Sequence, residues 1–541
     1  MKLNKLVVFI CTLVIVFIQA CSNNDETKEQ NNQNDAESNF NETGMPIVNE
    51  SIELDIFASH SPMSAEDWND VLVLDEYEDM TNININWEQI PMSGLEEKTN
   101  IALASNDLPD VFYGIWMGHK DVFKHGSQGS FIPLNDLIDK HAPNLKKLLD
   151  EYPSIKKGLT FPDGNIYSFP TIYSPEFKSL LVGSKPWVNQ EWLEKLDMEN
   201  PQTTEEFYQY LKAVKNTDLN GSGEHDEIPY GESSNNLDYL EHWLRGSFGI
   251  GNKGRLHLYV DLDPDTEELR FIPVQEGYKE MLQYMNKLFS EELIEQSTFT
   301  MEEEQYLANG TEALYGSTNF FNPVEMFGKE GEAYTSGYAL EGPNGDKKYT
   351  GISHPLYSVG QFMITKDNEY PAETVRWMDY LGFSDEGVKL FYMGIEGVTY
   401  EETSEGPQLM DEITDNPDGL SETQALAQYM IAPGGGHPTK IVSEYYSGAD
   451  NSELELEATE KLEPYLIDNP WPAFTFTEEE NKELKTIGQD IEKYVSEMKV
   501  KFISGDASFS DWDDYINTIE NMNLERYMEI QEAAHERFQD D

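Results

Sequence analysis

The sequence predicts an α/β protein of more than one domain, on three observations. From Ser51 to Trp116 the patterned segments run strand, helix, strand, helix, strand, the order of a parallel sheet covered by helices. Aromatic and aliphatic residues then recur over roughly 490 residues, more than one hydrophobic core takes up. A second strand and helix series opens near Leu180.

The elements follow from their spacing. SIELDIFA, from Ser51 to Ala58, alternates apolar and polar residues, as a strand with one buried face does. Ala65 to Met80 places Trp68, Val71, Leu72, Leu74 and Tyr77 along one side of a helix. NININWEQI, from Asn82 to Ile90, alternates again. A helix through Lys98, Ile101 and Ala104 precedes the apolar strand LPDVFYGIW, which ends at Trp116. In such sheets ligands bind beyond the carboxyl ends of the strands. FPDGNIYSFPTIY, from Phe161 to Tyr173, has a DG turn and an extended Pro170, and is expected to cross between domains. TTEEFYQYLKAVK opens with a capping box at Thr203 or Thr204. From about Glu478 the chain is helical, with Ile487, Ile491, Tyr494, Val495 and Met498 at core spacing. Trp187 and Trp192 fit helix-packing positions.

The N-terminus has a different character. Lys2 and Lys5 precede the apolar stretch Leu6 to Ile18, too short to span a bilayer comfortably but suited to a secretion signal. Gln19-Ala20-Cys21 closes that stretch and resembles a bacterial lipobox, in which the cysteine is cleaved free and diacylated; Gln19 departs from the usual small or apolar residue. Residues 1–20 are therefore expected to be a signal peptide, and 21–50, rich in Asn, Gln, Asp, Glu and Ser, a lipidated flexible tether. With Cys11 inside the signal, Cys21 is the lone cysteine of the mature chain, which excludes an internal disulfide and a cysteine metal site. Lys and Arg total 37 against 101 Asp and Glu, a net charge of −64. Nucleic acid and anionic lipid surfaces need clustered cations and are excluded as partners. The same acidity favours a neutral over a polyanionic ligand, and makes any carboxylate pair uninformative about catalysis.

One motif is sharp. DLNGSGEHDEIP, residues 218–229, sets oxygen donors at Asp218, Asn220 and Ser222, with carboxylates at Asp226 and Glu227 and the Glu224 carbonyl available. Six to eight oxygens converging on a point suit Ca²⁺, held here for a structural purpose. Pro229 at the twelfth place rules out an EF-hand proper. Sugar recognition needs flat aromatic faces and planar polar groups. Candidates beside glycine or asparagine in loops are Trp116, Trp243, Phe320 with Phe321, and Tyr357. His60 and His437 read as surface loop residues. No GxSxG, HExxH or phosphate-cradling glycine loop is present.

WVNQEWLEKLD, the capped helix and NTDLNGSGEHDEIPYG together resemble the family 1 extracellular solute-binding proteins. The nearest likeness is to the calcium-containing branch that includes alginate-oligosaccharide-binding members, with Ser222 where that branch has Asn. YPAETVRWMDYLGFSDEGVKLFYMGIEGVTY and KFISGDASFSDWDDYINTIENMNLERYMEIQEAAHERF resemble later blocks of the same family. The resemblance implies a two-lobed periplasmic-binding-protein-like fold with a hinge and a ligand cleft between the lobes. Residues 51–172 with 355–405 would form the first lobe, and 173–354 with 406–541 the second. It places Glu396 and Tyr400 in the cleft. It also implies a monomer on the extracytoplasmic face of a bacterial membrane, capturing a carbohydrate for ABC permease subunits without being an enzyme. A secreted polysaccharide hydrolase and a sensory or adhesion lipoprotein are the alternatives.

Overall fold

A computed structural model describes residues 39–539, apart from 106, 234–236, 405 and 432–436. The signal peptide, Cys21 and most of the expected tether lie outside the described residues. The tether's C-terminal boundary is corrected: Ile47 and Val48 are fully buried, and both their N–H groups donate to the Thr81 carbonyl, at 3.0 and 3.3 Å. Two adjacent β-branched side chains bury enough apolar surface to order this end of the segment.

Two sheets organise the rest. The first has six strands, in the order Lys440–Ile441, Phe169–Tyr173, Leu356–Ile364, Val111–Met117, Ile52–His60 and Ile83–Pro91. Ile52–His60 runs parallel to both its neighbours, while Leu356–Ile364 is antiparallel to both of its own. The alternation read in SIELDIFA is real: Ile52, Leu54 and Ile56 are buried and Glu53 and Asp55 exposed. Trp68 packs edge-on against Trp87 with centroids 5.2 Å apart, anchoring the chain before helix Leu72–Thr81 onto the sheet. Asp379, in helix Pro371–Phe383, accepts from the N–H groups of Asn144 and Leu145 at 3.2 and 2.8 Å. It thereby caps the start of helix Pro143–Glu151 from outside that helix.

The second sheet has four strands, Tyr334–Ser336, Lys185–Asn189, Tyr315–Phe320 and Ile228–Tyr230. The chain passes between the sheets after Tyr173 and returns before Leu356. Thr203 completes its capping box with Glu206 at the head of helix Thr204–Lys215, which lies against strand Ile228–Tyr230. Trp187 and Trp192 are both buried. Helix Ile487–Ser504 packs along helix Glu276–Ser290 of the second lobe, burying Ile491, Val495 and Phe502. Lys499 on that helix reaches the buried Glu241 carboxylate at 2.9 Å and also pairs with Asp238.

The expected lobe boundary at 406 is corrected. Strand Lys440–Ile441 joins the first sheet beside Phe169–Tyr173. Ile413, Ala425, Leu426 and Met430 form a small core with Val73 of helix Leu72–Thr81. Residues 406–431 and 437–441 therefore belong with the first lobe. Their apolar positions are few and widely spaced, so nothing local marked the sheet they would join.

Candidate functional site

At the end of strand Val111–Met117 the backbone of Trp116 enters the left-handed region, with φ 54°. A bulky residue there is strained, and such strain persists where the surroundings impose it. The consequence is that the indole stands out, 42% exposed. Its edge meets Tyr357 at 6.1 Å, and Tyr357, itself 46% exposed, stacks on Tyr173 at 4.3 Å with planes 16° apart. Three rings thus form one aromatic platform at the first sheet. The Tyr446 hydroxyl is pushed up by burial first, then by the carboxylates of Asp450 and Glu325, with Tyr357 also close. Glu325 follows Phe321 and Val324, exposed apolar residues of the second lobe, and lines a cavity together with Tyr446. That cavity, of about 620 Å³, is lined among others by Met393, Gln408, Glu422 and Ser452. A cavity of about 720 Å³ lies instead at the connecting segments, bordered by Ser154, Lys157, Lys253, His354 and Trp471. It carries no comparable exposed ring face.

The sequence-derived candidates separate into two groups. Trp116 and Tyr357 are brought together. Trp243 is fully buried, its ring 4.7 Å from Phe207 and its Nε1 donating to the Tyr338 carbonyl at 2.8 Å, so it is a core residue. Phe320 faces the second lobe's core beside Tyr306, and the exposed ring is its neighbour Phe321. Strand alternation sends Phe320 inward, and Asn322, capping the short helix Pro323–Phe327, turns the chain just after Phe321. Tyr400 is buried beneath Lys389 in a hairpin, Tyr400–Thr403 with Gly406–Leu409. Glu396 is exposed in the turn preceding that hairpin. His437 is corrected as well. Its ring lies against Phe391 at 5.1 Å and Tyr113 at 5.9 Å, and burial lowers its pKa to about 4. Spacing alone missed Tyr173 and Tyr446, which stand next to no glycine or asparagine loop signal, whereas Phe321 was already named beside Phe320.

The Asp218–Glu227 loop folds on itself. The Asp218 carboxylate accepts from the N–H groups of Gly221 and Gly223, at 2.8 and 3.1 Å, both glycines having positive φ. One Asp226 oxygen accepts from Asn220 Nδ2 at 2.9 Å and Ser222 Oγ at 3.0 Å, and these bonds lower its pKa. One oxygen of the buried Glu227 accepts from the N–H groups of Leu219 and Asn220, while its Oε2 has no partner. A buried carboxylate oxygen without a donor is costly, and a cation is one partner that would satisfy it. Among the described residues no group of three or more His, Cys, Asp or Glu side chains is already gathered at ligating distance. The donors this loop gathers are amide, hydroxyl and carboxylate oxygens together, which fits a hard cation better than a transition metal.

A family model described as bacterial extracellular solute-binding protein matches residues 66–387. The fructooligosaccharide ABC transporter substrate-binding protein FusA of Streptococcus pneumoniae is 29% identical over 502 residues, covering 90% of each chain. The polygalacturonan/rhamnogalacturonan-binding protein YtcQ of Bacillus subtilis is 23% identical over 483 residues, covering 85% of this chain and 87% of its own. Solved structures of FusA, one with kestose and one an EF-hand mutant with fructo-nystose, each superpose with a TM-score of 0.72 at 27% identity. Each covers 90% of this chain and 99% of its own.

Proposed function

Because this chain belongs to the family of bacterial extracellular solute-binding proteins, we propose that it captures an oligosaccharide between its lobes and delivers it to ABC permease subunits, without turnover. The observation that carries this reading is the Trp116, Tyr357 and Tyr173 platform, held open at the first sheet by a left-handed Trp116. Flat rings match the C–H faces of pyranose or furanose units, and closure would bring Phe321 and Val324 onto the opposite face. The reading is supported by FusA, which is named for a fructooligosaccharide. Trp116→Ala should weaken oligosaccharide binding by about thirtyfold, the loss of one central aromatic anchor. Titration calorimetry against a neutral oligosaccharide panel measures it. An unchanged affinity removes the platform from the site, and sugar cleavage during the titration would establish the hydrolase alternative. A sensory or adhesion protein would bind sugar yet leave uptake intact when deleted.

Two finer parts belong to the same proposal. Asp218, Asn220, Ser222, the Glu224 carbonyl, Asp226 and Glu227 would hold Ca²⁺, which ties the loop together and takes no part in sugar contact. Cys21 would carry the lipid that keeps a monomeric receptor at the outer face of the cell membrane. No helix among the described residues is long and apolar enough to cross a membrane, in keeping with an anchor at Cys21. Cys21→Ser is expected to move the protein from the membrane fraction to the medium, as followed by immunoblotting. Retention in the membrane would mean that the apolar stretch Leu6–Ile18 stays as an uncleaved anchor.

A further inference from the structure

We propose that Arg255 and Asn319 are the second lobe's polar contacts for the captured sugar, and that the pair selects neighbouring hydroxyls over a carboxylate. The inference rests on the cleft being an oligosaccharide site.

Arg255 is an anomaly in this chain. Acids outnumber Lys and Arg by 101 to 37. Yet among the described residues no carboxylate stands at ion-pair distance from its guanidinium, and no hydrogen bond holds it. The side chain is half-buried. It lies against Gly183, in the segment between the two sheets, where an added Cβ would stand 3.0 Å from Nη1. Gly183 has φ 62°, so that side of the guanidinium is kept clear by a residue whose backbone disfavours any side chain. A half-buried guanidinium without a partner is a group built to meet something from outside.

Asn319, in strand Tyr315–Phe320, is fully buried. Its Nδ2 donates to the Tyr239 carbonyl at 2.6 Å, which fixes the orientation of the amide, and its Oδ1 has no partner. Tyr239 and Tyr349 connect the two groups. Burial raises both hydroxyls, and the positive charge of Arg255 opposes that rise at each. The Tyr349 hydroxyl donates to the Ser184 carbonyl at 3.0 Å, next to Gly183, and Asn319 pairs across the sheet with Pro186, two residues further on. Tyr239 also meets Phe320 edge-on at 5.1 Å, one residue from the exposed Phe321. An unpaired donor fork and an unpaired acceptor therefore stand together beside an aromatic face.

The chemistry discriminates between ligands. Two adjacent hydroxyls accept from the guanidinium and donate to Oδ1, satisfying both groups. A carboxylate can only accept, so it would leave Oδ1 unsatisfied and facing negative charge. The cavity that Glu325 and Tyr446 line points the same way, since Glu422 and Glu444 also border it and no lysine or arginine does among the described residues. The inferred ligand is a neutral oligosaccharide, although a relative of this chain is named for an acidic polymer.

Titration calorimetry of the mature chain with kestose, maltotriose, xylotriose and trigalacturonate tests this. Wild type should bind one of the neutral trisaccharides at least tenfold more tightly than trigalacturonate. Arg255→Gln should lose at least about tenfold of that affinity, as expected for charge-assisted hydrogen bonds. Its ligand-free melting temperature should stay at the wild-type value. If Arg255→Gln melts early, Arg255→Lys decides, since it keeps the charge but not the fork and should still bind several-fold more weakly. Wild-type affinity in the folded variant, or a wild-type preference for trigalacturonate, overturns the inference while leaving sugar capture standing. A wild type that binds none of the four fails the capture reading itself, and the Arg255 and Asn319 contact falls with it.

Discussion

Removing calcium should lower the melting temperature by about 3 °C while leaving the order of sugar affinities unchanged. A site occupied at a hundred times its dissociation constant stabilises the folded state by about 2.7 kcal/mol, and for roughly 490 folded residues, at about 1 °C per kcal/mol, that becomes a measurable shift. The loop's own bonds show what the ion would add. Asp218 and Asp226 spend their oxygens on glycine, asparagine and serine donors, but Glu227 Oε2 is buried with nothing opposite it. The cost of that orphaned oxygen returns when the ion leaves. Sugar preference should not follow, because none of residues 218–227 lines the cavity beside the aromatic platform. Differential scanning calorimetry with chelator, then with Ca²⁺ restored, measures the shift. Asp226→Ala should melt early and no longer respond to chelator. A wild-type melting curve indifferent to chelator ends the calcium assignment.

What could be read from the sequence was whatever short-range periodicity encodes. The strand alternation of Ile52–His60 and Ile83–Pro91, the capping box at Thr203 and the core positions of the last helices depend on neighbours a few residues away. Lys440–Ile441 escaped because two residues carry no period, and only pairing with Phe169–Tyr173, more than 250 residues earlier, makes them a strand. The aromatic candidates divided for a related reason. Trp116 follows a strand into a glycine-bearing loop, and the backbone turn that exposes it falls where the sequence reading placed a strand end. Trp243 has equally polar neighbours in the chain, yet the tertiary packing of Phe207 and the Tyr338 carbonyl encloses it. Arg255 had no motif around it at all. What singles it out is a missing partner, and a missing partner is a property of the fold.

The second large effect concerns acid. His242, His257 and His354 are all buried, and burial, their first cause, lowers their pKa values to about 3, 4 and 3. Each is neutral when folded and free to take a proton at its ordinary value of 6.5 when unfolded. Stability from these groups is therefore complete above pH 6.5 and is lost as the pH falls from there towards 4. At pH 5 the loss is about 2 kcal/mol for each, and about 6 kcal/mol for the three. Their surroundings offer little relief. His354 Nδ1 accepts from the Leu356 N–H and its Nε2 meets Ser154 Oγ, both at 3.0 Å, with His257 nearby. His257 Nε2 lies 2.8 Å from the Pro472 carbonyl, between Trp471 and Phe474, and His535 adds like charge. At His242, Arg245, Arg255 and Lys499 oppose protonation and Glu241 alone favours it. Two buried carboxylates act in the other direction. Asp379 is pushed up to about 6 and Glu232 to about 8, so both favour the fold more as the pH falls. The histidine contribution is thus the difference between wild type and variants in which glutamine replaces the imidazole. Between pH 7.5 and 5, urea denaturation should show that difference shifting by about 2 kcal/mol for His354→Gln and about 6 kcal/mol for the triple variant. Parallel stability curves for wild type and triple variant would mean that these rings already find a proton acceptor in the fold.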